Sequence, residues 1–126
     1  VVEYGVGWAE KVVKMAEESG LVHYHTTDVK YQSGSRLLPC HSHLFGKPGL
    51  VVPSGYVSGL EGKHGLPAVM AAVEPFMVPG GILLDPCCGL GLAAKAAINC
   101  GMAFRGNELN SKRLERTIGI LKSMGG

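Results

Sequence analysis

Two acidic residues and a pair of glycines in the second half of the chain have the types and spacing of a nucleoside-binding site. Asp85 directly follows an apolar run that predicts a buried strand, and Gly89 and Gly91 follow it closely. Glycines at a strand-to-helix turn let the backbone approach a ligand, and the helix that follows begins with free N–H groups. Glu108 ends the next predicted strand, where an acid can accept hydrogen bonds from two ribose hydroxyls. These residues predict a nucleoside site at the carboxyl ends of two neighbouring strands.

Two cofactors match this pattern. The run from Gly89 to Ala94 satisfies the glycine pattern of dinucleotide-binding loops. Asp85 argues against a dinucleotide, because a carboxylate beside the loop would repel a pyrophosphate. S-adenosylmethionine (SAM) carries a positive sulfonium and an amino group, which the same carboxylate attracts. The residues therefore favour SAM over a nicotinamide cofactor.

The elements that must position these residues begin with short strands and an amphipathic helix. Apolar residues predict a strand at residues 1–2, and helical spacing predicts a helix over residues 7–20. Residues 21–31 and 41–47 have the composition of strands. The segment 48–65 is rich in glycine and proline, so it predicts a long surface loop.

The second half of the chain alternates more regularly. Pro67 suits the first turn of a helix that Pro75 must kink or end. The remaining predicted elements are a buried strand at Ile82–Leu84, an alanine-rich helix at residues 90–100, a strand at residues 102–108 and a helix capped by Asn110. Leu114, Ile118 and Leu121 would form the buried stripe of that last helix. Strand and helix in alternation predict an α/β fold with a parallel sheet.

Length and composition fix the broad class. With 126 residues the chain has room for a single domain, and with 46% hydrophobic and 17% charged residues it can bury enough surface to fold. The formal net charge of +2 identifies no partner by itself. We see no apolar run near the roughly 18 residues of a membrane span and no signal-peptide pattern, so we expect no membrane association and a cytoplasmic location. The four cysteines lack paired Cys-x-x-Cys spacing, which predicts reduced thiols.

The segment around Gly89 and Gly91 resembles a known protein family. The stretch from Leu84 to Leu121, LDPCCGLGLAAKAAINCGMAFRGNELNSKRLERTIGIL, resembles the first and second motifs of class I SAM-dependent methyltransferases. It is most similar to the DNA methyltransferases that methylate adenine or cytosine amino groups and carry the cofactor motif near the C-terminus. Their pattern is Leu-Asp-Pro-aromatic-x-Gly-x-Gly, followed later by x-x-Gly-x-Glu, which Gly106 and Glu108 match. His64 and Pro67 match the preceding helix in spacing, with Leu66 where the family has Lys, and HSHLFGKP (41–48) is similar to a family strand that ends in Lys.

The resemblance implies a fold, a cofactor and a substrate. The fold would be a shortened Rossmann-like methyltransferase sheet, mostly parallel, with helices on both faces. SAM would be the cofactor, and DNA the substrate that accepts a methyl group on a base amino group. We also expect the chain to act as a homo-oligomer or with a partner subunit. The implied cofactor-binding residues are Asp85, Pro86, Cys87, Gly89, Gly91, Glu108, Leu109 and Asn110.

The sequence departs from the family in its catalytic motif. Family members carry Asp, Asn or Ser, then Pro-Pro and an aromatic residue, and this chain has no such tetrapeptide. The family needs acceptors that hold the amino hydrogens and a ring that stacks on a flipped base. In the strand before the first helix, Glu3 could accept and Tyr4 could stack, so these two are the candidate catalytic residues. The family aromatic is also replaced by Cys87. The alternative is a SAM-binding module that is catalytically silent or needs a partner chain.

Four histidines on the predicted strands could bind a metal ion or have a structural role. Pairs of histidines two apart, His23 with His25 and His41 with His43, would place two imidazoles on one face of each strand, as in a metal site. No acid or cysteine completes a ligand set, so we expect structural histidines and no metal.

The cysteines of the glycine segment, the basic residues of the last helix and several large apolar residues are also predicted to have structural roles or to be part of the cofactor loop. Cys87 and Cys88 could be nucleophiles at a helix N-terminus, but the cofactor loop already explains their position. The basic residues of the last helix indicate a solvated face. Trp8, Met15, Met70 and Met77 are predicted to be core.

Overall fold

The computed structural model describes residues 1–125, whose contacts form two compact units, Val1–Pro75 and a second that starts at Phe76. Each unit contains its own β-sheet. One domain of this length can contain both units, so the single-domain organisation stays a prediction. Within residues 1–125, no helix combines the length and the apolar character needed to cross a bilayer.

The N-terminal unit combines three strands with three α-helices. They are β1 (Val2–Tyr4), α1 (Ala9–Glu18), β2 (Val22–Ser33), β3 (Arg36–Gly46), α2 (Tyr56–Leu60) and α3 (Gly65–Val73), with turns of 3-10 helix at Val6–Trp8 and Glu74–Phe76. The sheet has the order β1-β3-β2, and both pairings are antiparallel. α3 ends before Pro75, as predicted, because proline cannot continue the hydrogen-bond ladder.

This antiparallel sheet corrects the prediction of a mostly parallel Rossmann-like sheet. β3 starts at Arg36, earlier than the predicted residue 41, and only Gly34 and Ser35 connect it to β2. A parallel pair needs a crossover of about a dozen residues or more, so such a short connection forces a hairpin. The α/β class is confirmed, but the parallel arrangement holds only for the two strands of the second unit.

The predicted loop at 48–65 contains a helix that the sequence analysis missed. Tyr56 and Leu60, one helical turn apart, are buried, and the Tyr56 hydroxyl donates a hydrogen bond to the Ala72 carbonyl at 2.8 Å. Burial of one apolar face stabilises α2 despite the glycines around it.

The two faces of the antiparallel sheet are covered by different helices. Val29, Leu44 and Leu60 lie in a core next to α2 and α3. α1 lies on the opposite face, where Trp8 and Met15 remain 52% and 67% exposed. The prediction that Trp8 and Met15 are core residues is therefore wrong.

The C-terminal unit has the alternation that the sequence predicts. Its elements are β4 (Ile82–Asp85), α4 (Leu92–Asn99), β5 (Ala103–Gly106) and α5 (Ser111–Ser123). β4 and β5 pair in parallel, and α4 forms the crossover between them. The prediction that the strand at Ile82–Leu84 is buried is wrong, since Ile82 is 51% and Leu84 68% exposed. On α5 the predicted stripe needs one correction, since Ile118 is 43% exposed whereas Thr117 is buried at 2%.

Candidate functional site

The loop from Asp85 to Gly91 begins where β4 ends. Asp85 pairs with Gly106, and the Asn107 N–H extends the pairing by donating to the Asp85 carbonyl at 3.1 Å. The Asp85 side chain turns back on its own loop, because its Oδ1 accepts the Cys87 N–H at 3.0 Å. This short-range bond fixes Pro86 and Cys87 as an exposed turn beyond the sheet.

Three further hydrogen bonds hold the middle of the loop. The Cys88 N–H donates to the Asn107 carbonyl at 2.9 Å, and the Gly91 N–H donates to the Cys88 carbonyl at 2.8 Å. The Thr117 hydroxyl, from α5, donates to the Gly89 carbonyl at 3.0 Å. Within residues 1–125 the N–H groups of Gly89 and Leu90 have no acceptor, so they are available to a ligand.

Gly91 is required by both its conformation and its surroundings. It lies in the left-handed region at φ +83° and caps α4 without a side-chain hydrogen bond. A Cβ atom at this position would lie 2.7 Å from Thr117 Cγ2, well inside van der Waals contact. The close approach of α5 therefore depends on a residue with no side chain at position 91.

Glu108 faces the same loop from the end of β5. Its Oε1 accepts the Asn110 N–H at 3.1 Å, whereas Oε2 would lie 3.9 Å from a Cβ atom placed on Gly89. Burial, followed by the charges of Asp85 and Glu108, raises the pKa of the Cys88 thiol. Because Asp85 pairs with Gly106, two residues before Glu108, and Glu108 lies next to Gly89, both carboxylates lie at the carboxyl ends of β4 and β5.

The remaining predicted cofactor residues line the start of α5. The Asn110 side chain caps the helix by accepting the Arg113 N–H at 3.1 Å, which confirms the predicted cap. Leu109 is 95% exposed, so its side chain is free to contact a ligand.

The candidate catalytic residues do not come together. Glu3 pairs with Ser42 and Tyr4 pairs with His41 in neighbouring positions of β1. Successive side chains of a strand point to opposite faces, so Glu3 lies on the Cys40 face and Tyr4 on the α1 face. Desolvation raises the pKa of the Glu3 carboxyl, although the residue as a whole is exposed.

Of the two predicted histidine pairs, only His41 and His43 share a face, with ring centroids 5.7 Å apart. A bulge between His23 and His25 shifts the strand register, and the His23 ring lies 6.3 Å from that of His43, whereas the His25 ring lies 6.3 Å from that of Tyr56. His23 and His25 therefore do not share one face.

Close polar contacts link His23, His41 and His43 to side chains of β2. The Thr26 hydroxyl lies 2.8 Å from both His23 Nε2 and His43 Nδ1. His41 Nε2 lies 3.0 Å from Asp28 Oδ1. Among residues 1–125 no group of three or more histidine, cysteine or acidic side chains is arranged to hold a metal ion.

Thr117, which supports the loop from α5, was not among the predicted site residues. It lies three residues after Leu114 and four before Leu121, within the apolar stripe of that helix. A polar residue at a buried helical position requires a hydrogen-bond partner. That signal was available from the sequence, and the structure identifies the partner as the Gly89 carbonyl.

The chain is similar to known proteins in structure and not in sequence. No protein-family model and no curated protein matches the chain by sequence. M1.HpyAVI, solved as a complex with SAM, superposes with a TM-score of 0.75 at 18% identity, over 94% of this chain and 71% of that chain. TTHA0409 from Thermus thermophilus, named as a putative DNA modification methylase and solved with S-adenosyl-L-methionine, gives a TM-score of 0.71 at 13% identity, over 98% of this chain and 65% of that chain. The chain thus has a fold shared with M1.HpyAVI and TTHA0409, of whose lengths it spans 71% and 65%.

Proposed function

We propose that this chain binds SAM at the loop from Asp85 to Gly91 and Glu108, and that it transfers a methyl group to the amino group of a DNA base. Two structural neighbours were solved with SAM, and one of them is named as a putative DNA modification methylase. The family resemblance of the same loop supports this proposal independently of the fold.

The observation that carries the proposal is the shared position of the two carboxylates. Asp85 ends β4 opposite Gly106 of β5, and Glu108 follows β5 next to Gly89, so both lie at the carboxyl ends of parallel strands, where open α/β sheets bind ligands. A ligand with a positive sulfonium and an amino group would be attracted to this pair.

The residues around the carboxylates suit the rest of this cofactor. Glu108 Oε2, close to Gly89, could accept hydrogen bonds from ribose hydroxyls, because Oε1 already bonds the Asn110 N–H. The free N–H groups of Gly89 and Leu90 could donate to the ligand, and Leu109 could pack against its apolar parts. The absence of a side chain at Gly89 leaves this space open. When bound, SAM supplies an electrophilic methyl group, so the task of the protein is to align the acceptor.

Glu3 and Tyr4 remain the proposed catalytic residues. Glu3 would accept hydrogens from the amino group, and Tyr4 would stack on the base. Their opposite orientations on β1 mean that one base cannot contact both from a single side of the sheet. This arrangement favours a second candidate function, a SAM-binding module that is catalytically silent or is completed by a partner chain.

Calorimetric titration tests cofactor binding. We expect the chain to bind SAM and not NAD, and Glu108→Gln to weaken SAM binding by about tenfold or more, since hydrogen bonds to charged groups contribute about 1.5–3 kcal/mol. Glu115→Gln is the matched control, because Glu115 is an exposed acid on α5 outside the loop. Binding of NAD instead of SAM, or equal SAM affinity in both variants, would contradict the proposed site.

A methyl-transfer assay separates the two candidate functions. Tritiated methyl groups should appear in DNA if the chain is an enzyme, and RNA and free nucleosides serve as alternative acceptors. Glu3→Gln and Tyr4→Ala should each reduce transfer. Undiminished transfer in both variants would remove these residues from catalysis, whereas SAM binding without transfer would support the silent module.

A further inference from the structure

An open groove lies on the N-terminal unit between β1 and α1. It has a volume of about 550 Å³, within the range of small-molecule sites, and it is lined mainly by apolar side chains. Tyr4, Trp8, Met15 and Phe45 are among its walls. The groove lies wholly within the N-terminal unit and contains none of the cofactor-loop residues.

Two aromatic rings stand half-exposed in this groove. Tyr4 is 51% exposed and Trp8 is 52% exposed, and their ring centroids lie 6.1 Å apart at an interplanar angle of 85°. The edge-to-face contact fixes the relative orientation of the rings while leaving much of their area uncovered. Exposed rings of this kind offer surfaces on which a planar ligand can stack.

The groove also carries an uncompensated positive charge. Lys11 Nζ lies 5.1 Å from the centroid of the Trp8 ring, and among the described residues no acidic side chain lines the groove. Lys14, on the same helix, instead pairs with Glu18 at 3.9 Å. Charge complementarity therefore favours an anionic ligand next to the rings.

We propose that this groove binds an unpaired nucleotide of a nucleic-acid strand, with the base stacked on Trp8 and the phosphate next to Lys11, while Tyr4 holds the Trp8 ring in place by its edge-to-face contact. This inference rests on the proposed function, because a DNA-modifying protein must hold its substrate away from the reacting base as well. Aromatic side chains with a neighbouring cation are the usual elements of single-strand binding, since every base has a face to stack. All residues of this nucleotide site therefore belong to the N-terminal unit.

Trp8 is the only tryptophan of the chain, so tryptophan fluorescence reports on the surroundings of this one ring. A short oligothymidylate titrated into the chain should quench that fluorescence with saturation. Lys11→Gln should weaken binding about threefold to tenfold and make the slope of log affinity against log salt shallower by about 0.7. Lys14→Gln is the matched control and should leave both values unchanged. Trp8→Leu, followed by anisotropy of a labelled oligothymidylate, should lower the affinity about fivefold or more.

The outcomes separate this inference from the proposed function. Absence of quenching, or equal affinity in the Lys11 and Lys14 variants, would overturn the nucleotide site. Trp8 spectra that shift with protein concentration alone would overturn it as well, because they would show that a second copy covers the groove. Binding of SAM without quenching would refute the groove proposal and leave the cofactor proposal standing. Quenching without SAM binding would refute the cofactor proposal and leave the groove proposal standing.

Discussion

Replacement of Gly91 by alanine tests how the candidate cofactor loop is held against α5. Gly91 has φ +83°, and the new Cβ atom would lie 2.7 Å from Thr117 Cγ2 and 3.2 Å from Thr117 Oγ1. Two penalties therefore act together, the left-handed backbone and the overlap with a buried side chain.

The structure gives the size of each penalty. A non-glycine residue in the left-handed region costs about 1–2 kcal/mol. Overpacking against a buried side chain costs about 1–3 kcal/mol more. Gly91→Ala should thus lower the free energy of unfolding by about 2–5 kcal/mol, a large share of the roughly 5–15 kcal/mol typical of a domain.

The assay is urea unfolding followed by far-UV circular dichroism, with Thr117→Ala as the second change. In Thr117→Ala the overlapping atoms are absent and the nearest remaining atom, the Cβ of residue 117, lies 3.4 Å away, so Gly91→Ala should then cost only the backbone penalty. The two changes should therefore couple by about 1–3 kcal/mol. Gly119→Ala, also on α5 but with open space around it, is the control and should stabilise the protein by up to about 1 kcal/mol. A Gly91→Ala protein as stable as the wild type, or no coupling with Thr117→Ala, would refute this account of the loop.

Three further predictions concern protonation, thiol reactivity and helix capping. Burial, followed by two neighbouring histidines, lowers the pKa of His43 below 6.5, so the folded chain binds that proton more weakly than the unfolded chain does. The free energy of unfolding should accordingly decrease as the pH falls below about 6.5, and urea titrations of His43→Gln should show a smaller decrease. Burial and then two nearby carboxylates raise the pKa of Cys88, whereas Cys87 is exposed, so iodoacetamide followed by mass spectrometry should label Cys88 about tenfold more slowly than Cys87. Equal labelling would contradict the burial of Cys88. Asn110→Ala should lower stability by about 1 kcal/mol, measured by urea unfolding, while Asn110→Asp should retain it, because aspartate also caps helices.

Local signals account for what the sequence predicted well. In the C-terminal unit, the apolar run before Asp85, the glycines after it and the Asn110 cap each act within a few residues. Short-range sterics and hydrogen bonds decide such features, so their positions follow from the sequence. The approach of Glu108 to Gly89 follows as well, because parallel neighbouring strands end at the same edge.

Pairing and exposure depend on distant parts of the chain and were predicted less well. The antiparallel pairing of β2 with β3 follows from the two-residue connection at Gly34 and Ser35, but strand composition did not show that β3 begins as early as Arg36. The exposure of Trp8 likewise depends on what covers α1, which its helical spacing does not reveal. The separation of Glu3 from Tyr4 was in principle predictable, because adjacent strand residues alternate between faces.

The hydroxyl shared by two imidazoles on β2 and β3 couples their tautomers. The Thr26 hydroxyl has one hydrogen, so at least one of the two nitrogens beside it, His23 Nε2 or His43 Nδ1, must carry a proton of its own. His43 Nε2 is buried without a partner among the described atoms, and a buried acceptor is easier to leave unpaired than a buried N–H. The hydrogen of His43 therefore belongs on Nδ1, the less common tautomer of free histidine, and the ring nitrogens of His43 should show this directly in ¹⁵N NMR spectra at neutral pH.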